Sequence, residues 1–178
     1  MKMIRALPAA LLLCFGPAAA GSLDGDRYVA ERYGRLEIAA PAGRWEIFDR
    51  EGGIAADEGG PVVELQLRRA VAGLRPTLRI TGVRKGDAAV SADSILRTSR
   101  EAFVEAGGEL GPILAVSTGG RTQQSYEGRI APAGQAARSR VVLLEGPQAF
   151  FLLQMVVPIA AFDEAAREFD QLLPAIAY

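Results

Sequence analysis

Near its C-terminal end this chain carries two unbroken apolar runs, Val141-Val142-Leu143-Leu144 and Phe150-Phe151-Leu152-Leu153-Gln154-Met155-Val156-Val157, joined by a turn at Gly146-Pro147. A strand with one wet face alternates apolar and polar residues, whereas a continuous apolar run needs cover on both faces. The two segments are therefore expected to be central strands with material packed on either side. After them the period changes. Phe162, Ala165, Ala166, Phe169, Leu172 and Leu173 recur every three or four residues, which predicts a C-terminal helix with one apolar stripe laid over the sheet.

Upstream, a polar lead-in from Gly21 to Glu31 precedes Arg35-Leu36-Glu37-Ile38-Ala39, whose alternation predicts a half-buried strand. Pro41-Ala42-Gly43 then turns the chain into Trp45-Glu46-Ile47-Phe48, read as the partner strand, with Trp45 and Phe48 as core anchors. Glu51 to Pro61, rich in glycine and acids, reads as a loop. Val62 to Leu67 and Thr77 to Thr81 show a period of two. Ser91 can cap a helix whose Ile95, Leu96, Phe103 and Val104 fall on one side, ending at Gly107-Gly108. Ile113 to Val116, a turn at Thr118-Gly119-Gly120, and Arg121 to Ile130 form a hairpin with a polar second arm expected to face solvent or lie near an edge. Strands, helix, strands and helix joined by short connections favour an α+β fold, a mainly antiparallel β-sheet flanked by helices in a single sheet layer.

Residues Met1 to Ala20 read as an export signal: Lys2 and Arg5 supply positive charge, Ala6 to Phe15 is apolar but too short to span a bilayer, and Ala18-Ala19-Ala20 suits cleavage. Lipid anchorage through Cys14 competes with this reading, but Leu11-Leu12-Leu13 lacks the small residue such a site wants before the cysteine. Removing 20 of 178 residues leaves 158, one ordinary domain from 21 to 178, with 18 cations against 21 acids and a net charge of −3. That balance argues against nucleic acid. No later apolar run reaches the roughly twenty residues of a membrane-spanning helix. The protein is expected in the periplasm or secreted.

Cys14 is the only cysteine and histidine is absent, so the exported part holds neither. Zinc sites and Ser/His or Cys/His nucleophile pairs lose their usual ligands and bases. A dyad of Lys85 with Ser91 or Ser94 remains formally open, as do carboxylate pairs Glu101/Glu105, Glu164/Glu168 and Glu37/Glu46. Solvated surface or pairing with Arg35 and Arg44 explains these acids better. The acidic loop Asp49 to Glu58 does not match a calcium-loop spacing, and the 20 glycines form no phosphate-binding motif. No cofactor is implied. Basic residues Arg68, Arg69, Arg75, Arg79, Arg84 and Lys85 crowd one hairpin and its exit, and alternation could gather several into an exposed patch for an anionic partner. Its plain alternative is an edge hairpin protected from aggregation by charge.

Arg32-Tyr33-Gly34, the strand ending at Pro41, Gly43-Arg44-Trp45, the hairpin into Val157-Pro158 and the helix carrying Glu168-Phe169 together resemble the PsbP-like and DcrB-like exported proteins of bacteria. The resemblance implies the sandwich fold that this group shares with a eukaryotic Ran-binding factor of the Mog type. It also implies accessory or binding work outside the cytoplasm, as PsbP proteins help retain ions at a photosystem II site built by other subunits. Two positions depart from the pattern: Arg35-Leu36 where an aromatic residue is preferred, and Arg44 where glycine precedes the tryptophan. No catalytic residue carries over. The expected function is that of a non-catalytic envelope accessory or binding protein, its partner an envelope protein or an anionic envelope component. The alternatives are a carrier of a small apolar ligand, and a small hydrolase using carboxylates or a Ser/Lys pair.

Overall fold

The structure is a computed structural model that describes residues 21–50, 60–86, 90–131 and 134–178. Residues 1–20, read above as an export signal and including Cys14, and the loop residues 51–59 lie outside the described residues.

Two antiparallel sheets face each other. The small sheet has the order β1-β2-β3-β11, from Ser22–Asp24 (β1), Arg27–Ala30 (β2), Leu36–Ala39 (β3) and Ile176–Ala177 (β11). The large sheet has the order β4-β5-β6-β10-β9-β8-β7: Trp45–Asp49 (β4), Gly60–Leu67 (β5), Thr77–Arg84 (β6), Glu109–Thr118 (β7), Arg121–Ile130 (β8), Ala137–Glu145 (β9) and Ala149–Pro158 (β10). Helix α1, Ala92–Glu105, and helix α2, Ile159–Leu172, complete the sandwich. The α+β reading holds, but the expectation of a single sheet layer does not.

The correction begins at Pro41-Ala42-Gly43. This turn, closed by Arg44 N–H donating to Pro41 O, does not fold β3 back onto β4; β3 pairs with β2 and β11, and β4 pairs with β5. Leu36 and Ile38 enter the core from the small sheet while Trp45 and Ile47 enter it from the large one. Alternation alone reads the same in both arrangements. Phe48, on the opposite side of β4 from Trp45, is only half-buried beneath Arg50 and is not a core anchor. The lead-in is also more ordered than its polarity suggested, because β1 and β2 form a hairpin that buries Tyr28 completely.

The two unbroken runs behave as expected. In β9, Val142 and Leu144 face the core shared with α2 and the small sheet, while Val141 and Leu143 face α1; in β10, Phe151, Leu153 and Met155 take the first side and Phe150 and Leu152 the second. Close approach explains two glycines. A Cβ at Gly82 would stand 2.6 Å from the Tyr33 ring, and one at Gly128 would stand 2.5 Å from the Phe103 ring. All six apolar residues expected on α2 are buried. In α1, Ser91 forms a capping box with Ser94 as a helix start requires, but only Leu96 and Phe103 are buried, and Val104 is exposed. The hairpin's polar second arm, β8, lies one strand in from the edge, and the more apolar β7 forms the edge itself.

Phe169 is fully buried at the middle of the α2 stripe. Phe169→Ala is expected to destabilise the fold by about 3 to 5 kcal/mol in denaturant unfolding, and a near-neutral shift would show that α2 is not docked.

Candidate functional site

The basic residues singled out in the sequence do not form one patch. Strand β6 sends Arg79 to the face that carries α1 and Arg84 to the face that carries the small sheet, and Lys85, just past its end, lies on the α1 side over Phe150. There the Arg84 guanidinium donates to Arg32 O and lies over the Tyr33 ring at 6.0 Å. Lys85 meets Glu145 at 2.6 Å and lies 4.6 Å from the centre of the Phe150 ring. Arg68 donates to Trp45 O, and Arg69 reaches α2, where it pairs with Glu164 and Glu168. Arg79 pairs with Glu64 at 3.7 Å and Arg75 with Glu46 at 3.9 Å. The outer face of β4 to β6 therefore interleaves acids and bases.

The residues weighed for catalysis are held apart in the same way. Ser91 and Ser94 bond each other in the α1 cap, and Lys85 is turned to Glu145, so no Ser/Lys dyad is assembled. Glu37 and Glu46 belong to different sheets. Hydrogen bonds from Arg27 and Arg35 hold the Glu37 carboxyl below its ordinary value of 4.5. Glu164 and Glu168 are not bare helix surface: Arg69 spans both, and Arg44 adds a second contact to Glu168 at 3.1 Å. Glu101 and Glu105 are exposed on α1. Among the described residues no cluster of acids could hold a metal ion. Of the acidic loop only Asp49 and Arg50 are described, and Asp49 accepts a hydrogen bond from the buried Tyr28 hydroxyl.

Two arginines that sequence reasoning passed over matter more. Arg138 and Arg140 project from β9 onto α2; the first lies 3.8 Å from the Phe162 ring centre and pairs with Glu127 and Asp163, and the second pairs with Asp170 at 2.9 Å and lies over Phe169. Their signal was the i, i+2 spacing in a strand facing acids at one-helix distance, which only the register reveals.

The most site-like features flank α1, because one helix cannot cover so wide a sheet. Between α1 and strands β6 and β10 runs an open groove of about 620 Å³, lined by Val83, Ile95, Ala102, Phe103, Leu152 and Val156, with Ser94, Thr98, Ser99 and Gln154 as its polar groups. Among the described residues no charged side chain lines it. A second groove of about 610 Å³ lies between α1 and β7, where Asp93, Arg97, Arg100, Glu101 and Glu105 rim an apolar floor. Beneath α1, Tyr126 is fully buried, with its hydroxyl 2.7 Å from Ser99 Oγ and Arg100 over its ring. Burial pushes its phenol above the ordinary value of 10.0, against the opposing pull of Ser99 and Arg100.

No protein-family profile matches the sequence, and no curated protein does. Solved structures do. The chain aligns with the solution structure of the cyanobacterial PsbP protein CyanoP from Synechocystis at 13% identity and a TM-score of 0.58, covering 94% of this chain and 97% of that one. The fold is PsbP-like. LpqN of Mycobacterium tuberculosis, a protein involved in cell envelope biogenesis, aligns at 16% identity and a TM-score of 0.51 over 80% of this chain and 83% of its own. A Bacteroides thetaiotaomicron structure aligns at 13% identity and a TM-score of 0.55 over 87% of this chain, which spans about half, 48%, of that protein. The DcrB half of the sequence resemblance has no counterpart among these three. Among the described residues of this PsbP-like chain, no helix is long and apolar enough to cross a membrane.

Because the folded state keeps the Tyr126 phenol neutral while an unfolded chain ionises it near pH 10.0, stability is full below that pH and falls as pH rises past it. Tyr126→Phe is expected to flatten the loss of Tm between pH 9 and 11, and an unchanged slope would show that Tyr126 does not cause it.

Proposed function

We propose that this chain is an exported accessory protein of the cell envelope that works by binding and makes or breaks no bond. The observation that carries the reading is where the chemistry-bearing side chains go. The serines, the lysine and the Glu164/Glu168 pair considered for catalysis hold a helix cap and element contacts, Glu101 and Glu105 stand on the exposed side of α1, and the feature built like a site is an apolar groove with no charged side chain among the described residues. The hydrolase alternative needed two convergent carboxylates in a deep pocket; the acids beside the second groove all come from the exposed side of α1. The PsbP-like fold, shared with an envelope-biogenesis protein and with CyanoP, supports the same reading, as does the export signal expected in residues 1–20.

The groove between α1 and β10 favours a second reading, a carrier of a small apolar ligand. Its volume of about 620 Å³ lies within the range of small-ligand sites, and an apolar lining with a few uncharged polar groups is the usual composition of such sites. The basic residues belong to the accessory proposal as partner contacts. Arg79 is the most useful of them, since its side chain is 63% exposed and its pair with Glu64 of the adjacent strand β5 is a long surface contact at 3.7 Å.

In vivo crosslinking followed by mass spectrometry of captured proteins and extracted small molecules tests both readings. A reproducible envelope-protein partner is expected; a stoichiometric apolar molecule with no protein partner would replace the accessory reading with the carrier. Arg79→Gln, which removes the charge without opposing Glu64 with a second acid, is expected to weaken capture while changing stability by no more than about 1 kcal/mol, and undiminished capture would remove Arg79 from the contact surface.

A further inference from the structure

The large sheet ends in two unlike edges. β4 is 5 residues long, whereas β7 runs 10 residues and pairs only with β8 among the described residues. Natural edges are blunted by shortness, charge, bulges or cover. In β7 a bulge between Leu110 and Ile113, containing Pro112, protects the first third of the strand. Beyond it, Ile113-Leu114-Ala115-Val116-Ser117-Thr118 carries no charge, and Ile113 and Leu114 are each 51% exposed on opposite faces. Ile113 stands beside the exposed Val104 of α1, and Leu114 lines a hollow of about 320 Å³ on the other side.

The hairpin tip determines which main-chain groups are unpaired. Thr118 and Arg121 flank Gly119-Gly120, both with positive φ of 57° and 75°, a two-residue turn of the type that matches strand twist. In such a hairpin the flanking pair exchanges both main-chain hydrogen bonds. Thr118, Val116 and Leu114 therefore bond inward to β8, and Leu114 O also accepts from Ser125 Oγ on that side. Ile113, Ala115 and Ser117 turn their N–H and C=O groups outward.

We propose that this edge is where a second copy of the chain docks, the two β7 strands running antiparallel about a two-fold axis at Ala115 so that the large sheets join into one. The strand is complementary to itself. With Ala115 opposite its own copy, Ile113 meets Ser117 and Leu114 meets Val116, so no like charges oppose each other. The ends are complementary as well. Glu109 marks one end of β7 and Arg121 the hairpin tip at the other, and among the described residues neither joins an ion pair, Arg121 stacking on the Tyr178 ring instead. An antiparallel pairing brings the acidic end of one copy toward the basic tip of the other, and the two-fold consumes both β7 edges so that assembly closes.

Sedimentation of the purified protein tests the proposal, together with oxidation of an Ala115→Cys variant in a Cys14→Ser background. A hydrogen-bonded antiparallel pair has Cα atoms about 5.5 Å apart, which a disulfide spans. The expected result is a concentration-dependent dimer that Ala115→Cys locks covalently and that the exposed-site variant Leu114→Lys returns to monomer with unchanged far-UV circular dichroism. A monomer at every concentration with no crosslink would overturn it. So would a dimer that Leu114→Lys leaves intact, one that crosslinks equally through an Arg75→Cys control, or a stoichiometric foreign protein on the edge in place of the second copy.

Discussion

Phe162, Phe169 and Leu172 enter the core from α2 between two rows of arginines. Arg44 and Arg69 hold Glu168 and Glu164 on one side, and Arg138 and Arg140 hold Asp163 and Asp170 on the other while lying over the two phenylalanine rings. The apolar stripe provides most of the free energy, since exposed ion pairs contribute at most about 1 kcal/mol each and aligned cation–ring contacts a similar amount. The arginines contribute orientation. With α2 seated in this way, the short turn after it brings Ile176 against Ile38, and the C-terminal residues complete the small sheet.

The opposite face has no equivalent clamp. Helix α1 is fastened by its cap, by Leu96 and Phe103, and by the contacts of Tyr126 with Ser99 and Arg100, and it leaves apolar floor uncovered on both flanks. The asymmetry separates roles. One face is a closed core that sets the fold, and the other is a lightly covered surface where binding is least costly to accommodate, because no buried contact has to be broken. The edge strand β7 borders that surface, so the two grooves, the outer charged face of β4 to β6 and the sheet edge form one accessible side of the molecule.

Much of this was legible because periodicity reports burial directly. The α2 stripe, the Ser91 cap, the Gly119-Gly120 turn and the two-sided burial of Val141 to Leu144 follow from local spacing and local sterics. The candidate site was less so. Arg79, Arg84 and Lys85 are neighbours in sequence, yet a strand sends alternate residues to opposite faces, and each then meets a partner more than 10 positions away: Glu64, Arg32 and Glu145. Arg138 and Arg140 were passed over because the helix acids that give them meaning lie 25 and 30 residues downstream.

The amino-acid sequence by itself determined which segments are strands and helices, which of their faces are apolar, and that residues 21–178, with neither cysteine nor histidine, must rely on their core. Those properties depend on residues within a few positions of each other. Only the tertiary structure decided that β3 and β4 belong to different sheets, that the basic residues are divided between ion pairs and hydrogen bonds to main-chain carbonyls, and that β7 rather than β8 is the edge. The reason is physical: alternation states that a face is buried but not what buries it, and a turn such as Pro41-Ala42-Gly43 reverses the chain equally well within one sheet or across the core between two.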